Sequence, residues 1–235
     1  MLWDELPGLF PGFESSERWL ALLRRHLELL EASSDHTRVT SVPAPEAVRR
    51  HFAESIELLR IAEEFGGPIV GPCVDVGSGG GFPGLVIAAI RPALEVHLVE
   101  PHQKRARLLR QIAADLGLQN VTVHAARAED AARGPLRLSA GLVTARAVAP
   151  LRELLEYTAP FAGDGGLLVF PKGSGFEGEM AEAGAAMSAL GVSLAALVSM
   201  RPEVSENVRV ALLQRRGALS DRYPRRAGTP GKRPL

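Results

Sequence analysis

Five glycines fall within the eleven residues VDVGSGGGFPG, Val74 to Gly84, directly after an apolar run. Glycine weakens an ordered element, so such a concentration marks main chain that must bend sharply or be approached closely. Gly77 to Gly84 reads as a strand-to-helix turn, with Pro83 in the first helical turn, where a missing N–H costs nothing. The G-x-G-x-x-G pattern fails at Phe82 when it is started at Gly77. Started at Gly79, it runs through Gly81 to Gly84 but is displaced from the strand. A tight turn without a ligand is the alternative.

Glu100 ends the run VHLVE, 23 residues after Gly77. A carboxylate at the end of the second strand accepts both hydroxyls of an adenosine ribose. The combination serves NAD and S-adenosylmethionine alike. Three features favour the latter. Asp75, two residues before Gly77, suits a cationic ligand better than a pyrophosphate. Phe82 occupies the place where a dinucleotide loop needs a small residue. The chain of 235 residues also lacks a second mononucleotide-binding half.

Arg146 and Lys172 are the cations best placed for chemistry. Arg146 follows an apolar strand and precedes Pro150, so it projects over a cleft, where it can hold a carboxylate, a phosphate or a base. An ion pair with Glu129 or Asp130 is the alternative. Lys172, in FPKGSG, can meet a phosphate, and Arg127 is a third candidate. Other chemistries find no support. Cys73, the one cysteine, sits at the start of the first strand and reads as a small buried hydrophobe, not a nucleophile. The segment after the fourth strand, ARAVAP, has no side chain to accept an N–H from an exocyclic amine. His36, His51, His97, His102 and His124 show no metal-ligand spacing, so no metal is expected.

These residues need a frame. Short apolar strands are expected at Pro72–Val76, Glu95–Val99, Val121–His124, Gly141–Ala145 and Gly166–Phe170. Helices are expected at Gly84–Ile90, His102–Leu116, Leu151–Tyr157 and Gly178–Leu190. The alternation predicts an α/β fold with a mostly parallel, doubly wound sheet. VSLAALVSM and NVRVALLQRR follow one another without a helix between them and read as an antiparallel edge hairpin. Ligands in such sheets bind beyond the carboxyl ends of the strands, where Gly77–Gly84, Glu100–Lys104, Arg127–Glu129, Arg146–Pro150 and Pro171–Gly173 would converge. In the helix from His102, Arg105 falls on the apolar arc and needs an inward partner, for which Asp75 is the candidate. Residues 1–67 read as a helical extension packed on the core, with helices around Trp19–Leu30 and over Pro45–Phe65. Residues 68–216 form the ligand-binding domain, and 217–235 a basic tail.

Charge is uneven although the whole chain is neutral. Residues 1–65 carry 7 basic and 12 acidic residues, and residues 215–235 carry 7 and 1. A basic end on a neutral protein suggests a polyanionic partner. In RYPRRAGTPGKRPL the arginines Arg222, Arg225 and Arg226 can fork onto phosphates and Tyr223 can stack on a base, as a flexible strap around folded RNA would require. No apolar run is long enough to span a bilayer, and the N-terminus lacks a signal-peptide pattern. A cytoplasmic monomer with no membrane partner is expected.

Taken in order, DVGSGGGFPG, EPHQKRARLLRQ, RAED, ARAVAPL, PKG and RYPRRAGTPGKRPL, together with HFAES near the N-terminus, resemble the bacterial small-subunit ribosomal RNA guanine-N7 methyltransferase family, also called glucose-inhibited division protein B. The resemblance covers nearly the whole chain. It implies a class I (Rossmann-like) methyltransferase fold with an N-terminal helical extension. It also implies methyl transfer from S-adenosyl-L-methionine to N7 of a guanine in the 530 loop of 16S rRNA, free or in a small-subunit assembly intermediate. Cofactor contacts carried over by the motifs are Gly77, Phe82, Glu100, Ala128, Glu129 and Arg146, beside Asp75 and Gly79 read from the loop itself. Arg146 and Lys172 are the catalytic candidates. Arg127, Lys172, Arg222, Tyr223, Arg225 and Arg226 are the RNA candidates. Departures from the family pattern are RVT at Arg38–Thr40, and glutamate in place of the usual aspartate at Glu100 and Glu54. The chemistry is consistent: guanine N7 bears an in-plane lone pair and no proton, so transfer needs alignment and dryness, not a general base. The alternatives are an NAD-binding dehydrogenase or sensor, and an RNA-binding protein that kept the fold without catalysis.

Overall fold

The computed structural model describes residues 1–33 and 42–235, so His36 and Arg38–Thr40 lie outside the described residues. The chain runs through α1 (Leu6–Leu9), α2 (Ser16–Ser33), α3 (Ala44–Ala47), a π-helical turn (Val48–Ala53) and α4 (Glu54–Gly66) before the first strand. The sheet elements follow as β1 (Cys73–Val76), α5 (Gly84–Ile90), β2 (Val96–Val99), α6 (Gln103–Asp115), β3 (Val121–His124), α7 (Ala128–Ala131), β4 (Ala140–Ala145), α8 (Leu151–Thr158) and β5 (Ala162–Lys172). Then come α9 (Phe176–Glu182), α10 (Gly184–Leu190), β6 (Val192–Ser199), β7 (Arg209–Arg215) and α11 (Thr229–Lys232).

The strands form one sheet in the order β3-β2-β1-β4-β5-β7-β6. Strands β1 to β5 are parallel, and β7 runs antiparallel to both β5 and β6. The doubly wound sheet and the edge hairpin are therefore as expected. The order reverses between β2 and β4 about β1, which opens a crevice at the carboxyl ends of these strands.

Alternation along the strands divides the core. Cys73, Leu98, Leu142, Val169 and Leu212 face one layer, and Val74, Val99, Val143, Phe170 and Leu213 face the other. The first layer also takes in the N-terminal helices. Trp19, Leu23, His26 and Leu30 are its buried positions on α2, spaced by four, three and four residues, so a histidine occupies a core site. Glu57 of α4 has a fully buried side chain and is held by Arg60 and by Arg201 of the β6–β7 connection, which also bonds the Leu9 carbonyl at 2.7 Å. The helix expected over Pro45–Phe65 exists, but Val48–Ala53 widens into a π turn. Such turns free backbone carbonyls from the regular ladder and recur at functional sites.

The tail differs from the loose strap that its composition suggests. Residues 217–235 pack against α8 and the segment after α7. Arg225 reaches Glu156, whose side chain is fully buried, through Nε at 2.8 Å and Nη2 at 2.5 Å. Arg133 and Arg137 each hold a tail carbonyl, those of Pro224 and Tyr223, at 2.6 Å. Tyr223 is 5% exposed, so its ring is spent on packing and offers no face to a base. Arg222 and Arg226 remain exposed. Charge counting could not anticipate this, because the acids that the tail meets lie sixty or more residues away in sequence.

Among the described residues no helix is long and apolar enough to cross a membrane, and no group of His, Cys, Asp or Glu could hold a metal ion.

Candidate functional site

The rim above β1, β4 and β5 opens into a cleft of about 770 Å³. Its walls include Gly77–Gly80, Phe82, Arg105, Ala145–Pro150, Pro171–Gly173 and, from the N-terminal helices, Arg50, His51 and Glu54. Of the residues singled out from sequence, Gly77, Gly79, Phe82, Arg146 and Lys172 are brought together here. Glu100, Arg127, Ala128 and Glu129 do not line this cleft.

The glycine turn is held from below. The Gly77 N–H bonds the Val99 carbonyl at 2.8 Å, and Ser78 Oγ donates to the Asp75 carbonyl at 2.9 Å. Gly77 has φ +73°, a conformation that favours glycine; a Cβ there would stand 2.7 Å from a methyl of the exposed Val148 side chain, which would have to swing aside. A Cβ on Gly79, φ +55°, would meet no other residue's atoms closer than 3.8 Å and would stand in open space. Glu100, 2% exposed, bonds the turn directly: Oε2 accepts from the Gly79 N–H at 3.0 Å and Oε1 from the His102 N–H at 2.9 Å. Each carboxylate oxygen keeps a further lone pair, which suits the ribose hydroxyls of an adenosine ligand.

Asp75 corrects one expectation. It is fully buried beneath the turn, absent from the cleft wall, and cannot meet a cationic ligand. Its Oδ1 accepts from Thr144 Oγ1 at 2.9 Å and its Oδ2 from the Gly84 N–H at 3.2 Å. It therefore ties β1 to β4 and to the start of α5. Arg105, expected to reach it, stands instead at the cleft wall. Burial raises the Asp75 carboxyl from 3.8 to about 6, against the hydrogen bonds from Thr144, Ser78 and Gly84. A carboxyl with its folded pKa raised binds its proton more tightly folded than unfolded. Stability at this locus is thus gained as pH falls from about 6 to about 4 and is lost as pH rises through that window. We expect wild type to gain stability relative to Asp75→Asn between pH 7 and pH 4, measured by urea unfolding of both proteins. A difference independent of pH would contradict the assignment.

Arg146 is the centre of the cleft. Its Nη1 donates to the Arg50 carbonyl in the π turn at 2.6 Å, and its Nη2 to His51 Nδ1 at 2.8 Å. A guanidinium has only donors, so His51 accepts at Nδ1 and carries its proton on Nε2. Glu54 lies 4.0 Å from Nη1, and the Phe82 ring centroid lies 5.4 Å from the guanidinium carbon. Neither Glu129 nor Asp130 is its partner. Glu129 is 3% exposed and accepts from the Gly228 N–H of the tail at 2.8 Å. Phe82 stacks on His51 and on His26, with centroids 4.4 and 4.8 Å away. Burial, with the Arg146 charge second, lowers His51 to about 3, and burial lowers His26 to about 4, so both rings are neutral. His26 Nε2 faces the Gly80 carbonyl at 2.8 Å, tying α2 to the turn.

Lys172 is not a solvated loop lysine. Its side chain is 8% exposed, and Nζ lies 2.7 Å from Glu179, whose Oε2 also accepts from the Leu151 N–H at 2.7 Å. Arg127 is exposed at the entry to α7. Sequence reasoning missed His51, Glu54 and Arg50 as parts of the site. The available signal was HFAES, which puts polar side chains at positions 51 and 54 among apolar neighbours, one helical turn apart.

Comparison with known proteins identifies the family and the fold. The family described as rRNA small subunit methyltransferase G matches residues 20–208. A Dehalococcoides mccartyi protein named ribosomal RNA small subunit methyltransferase G is 38% identical over 188 residues, covering 79% of this chain and 78% of its own. One of the same name from Pelotomaculum thermopropionicum is 33% identical over 227 residues, covering 95% and 94%. Among solved structures, a mutant of MtNAS in complex with S-adenosylmethionine superposes with a TM-score of 0.57 at 15% identity, covering 92% of this chain and 85% of that one. A SAM-dependent methyltransferase from Aquifex aeolicus gives 0.54 at 16% identity, covering 80% and 97%. At those identities the structural matches speak to the fold alone.

Proposed function

The chain belongs to the rRNA small subunit methyltransferase G family, and on that premise we propose that it transfers a methyl group from S-adenosylmethionine to N7 of a guanine in small-subunit ribosomal RNA. The proposed target lies in the 530 loop, on the resemblance carried by the ordered motifs. When bound, S-adenosylmethionine supplies an electrophilic methyl group on a sulfonium centre. The residues that would hold it are Gly77, Gly79, Phe82 and Arg146, which line the cleft, with Glu100, Ala128 and Glu129 added on the resemblance of the motifs alone. The fit rests on a turn stripped of side chains, open above Gly79, and tied by its own N–H to the Glu100 carboxylate.

The observation that carries the choice of N7 is the wall at the end of β4. Ala145-Arg146-Ala147-Val148-Ala149-Pro150 lines the cleft with a cation and apolar side chains; this segment itself carries no carboxylate or amide to accept from an exocyclic amine, the two carboxylates of the cleft coming from α4 and α9. Cys73 is fully buried in β1, away from the cleft, so no thiol is available to add to a pyrimidine ring. Guanine N7 needs neither device. Its in-plane lone pair carries no proton, so a methyl group supplied by the bound donor would be accepted there without any base from the chain. The protein's part is to exclude water and hold the reactants in line. Arg146 positions, and the apolar segment Ala147–Pro150 keeps the site dry. Arg127, Arg222 and Arg226, all exposed, are the proposed phosphate contacts.

The test is incubation of undermethylated small-subunit RNA with labelled cofactor, followed by chemical cleavage at 7-methylguanine. Label at a single guanine is the expected result. Label on another atom, or none, would sink the reading. Calorimetry is expected to show binding of S-adenosylhomocysteine and none of NADH.

A further inference from the structure

Methyl transfer as described leaves one acid of the cleft without a task. Among the described residues two carboxylates line it, Glu54 and Glu179. Glu179 is engaged by Lys172 and by the start of α8. The Glu54 side chain is 13% exposed and faces the Ser205 side chain, and Arg146 stands 4.0 Å away, at ion-pair distance but outside hydrogen-bonding distance. A carboxylate has about four acceptor positions. With Ser205 beside it and Arg146 at ion-pair but not hydrogen-bond distance, the enclosed carboxylate keeps acceptor positions for donors that enter the cleft.

Position says which ligand brings them. The glycine turn and Glu100 stand over β1 and β2, the half of the rim that suits an adenosine. Ser205 belongs to the β6–β7 connection, and Val208 and Lys172 line the cleft on that same side, beyond β4. Glu54 therefore lies on the half left for the methyl acceptor, with Arg146 between the two.

We propose that Glu54 reads the acceptor base, its carboxylate accepting hydrogen bonds from guanine N1–H and from the N2 amino group. The assignment rests on the transfer reading above. Guanine presents two adjacent donors on that edge, and N7 lies on the opposite edge, free to face the methyl group. Adenine presents a lone pair at N1 to the same carboxylate and is repelled. Methylation makes the purine cationic and its N1–H more acidic, so the contact strengthens along the reaction, which is the kind of interaction that accelerates it. Burial raises the Glu54 carboxyl, while Arg146, Arg50 and Arg49 act to keep it ionised.

The experiment uses two target RNAs, one with guanosine and one with inosine, which lacks the N2 amino group, at the methylated position. Methyl-transfer kcat/KM is measured on each for wild type and for Glu54→Gln, and S-adenosylhomocysteine affinity by calorimetry. Wild type is expected to favour guanosine by about 10- to 100-fold. Glu54→Gln is expected to lose most of that preference while its affinity for S-adenosylhomocysteine holds. Should the glutamine variant not fold, Glu54→Ala removes the carboxylate altogether, and its loss is expected to be larger on guanosine RNA than on inosine RNA. A preference unchanged in the variants overturns the proposal. So does a fall in S-adenosylhomocysteine affinity with the preference intact, which would make Glu54 a holder of the cofactor's ammonium group. No label from wild type on either RNA overturns the transfer reading itself, and this assignment with it.

Discussion

Replacing Arg146 with alanine is expected to lower methyl transfer by about 100-fold or more while the protein stays folded. The guanidinium is fixed by the Arg50 carbonyl at 2.6 Å, by His51 Nδ1 at 2.8 Å and by the Phe82 ring, and is largely removed from water. A charge held that way needs no reorganisation when a reaction begins beside it, and its influence is greater than it would be in bulk water. Loss of the side chain also removes the donor to Nδ1 of the buried His51 ring, a cost of about 1–3 kcal/mol in stability, whereas the exposed Arg50 carbonyl turns to water. Arg146→Lys is expected to restore little, because an ammonium on a single stem cannot serve both partners in the plane of a fork. Initial rates with labelled cofactor, S-adenosylhomocysteine calorimetry and a thermal melt separate the chemical effect from the structural one. Turnover at the wild-type level would remove Arg146 from the mechanism.

The largest effect on stability is expected at Arg225. Glu156 is fully buried, and Arg225 meets it with two side-chain nitrogens and its own backbone N–H, the last at 2.8 Å. Truncating the arginine leaves an uncompensated buried carboxylate, which costs about 3–5 kcal/mol. For a chain of this size that corresponds to a fall in Tm of roughly 10 °C. The paired change Glu156→Leu with Arg225→Met is expected to recover most of the loss, since an apolar pair of similar bulk removes the charge along with its partner. Differential scanning calorimetry of the three proteins checks this. A melt for Arg225→Ala within 2 °C of wild type would mean that the tail detaches without consequence. The same geometry links the tail to the start of α7, because the Gly228 N–H donates to Glu129, one of the proposed cofactor contacts.

Much of this was legible in the chain itself. The short apolar runs at β1 to β4, the helical spacing of Trp19, Leu23 and Leu30, and the glycine turn after Val76 are local patterns, and each found its expected element. They succeed because a strand or helix is decided mainly by which faces its own residues can bury. Arg146, Gly77 and Phe82 followed from the same logic, since the ends of parallel strands must gather at one rim.

Local patterns do not reveal which charged groups find partners far away in sequence. Asp75 reads as a ligand group from its place beside the glycines, yet Thr144, 69 residues on, claims it for the scaffold. The tail reads as a flexible cationic strap, yet Glu156, 69 residues before Arg225, ties it to the core. His51 and Glu54 carried no visible link to Arg146, which stands 95 residues from His51 until the π turn delivers them to the same cleft. Local propensity and periodicity settled the elements and the rim. Only tertiary packing decided which charges are neutralised inside the fold and which are left to meet a substrate, because an ion's role is set by the neighbours that replace its water.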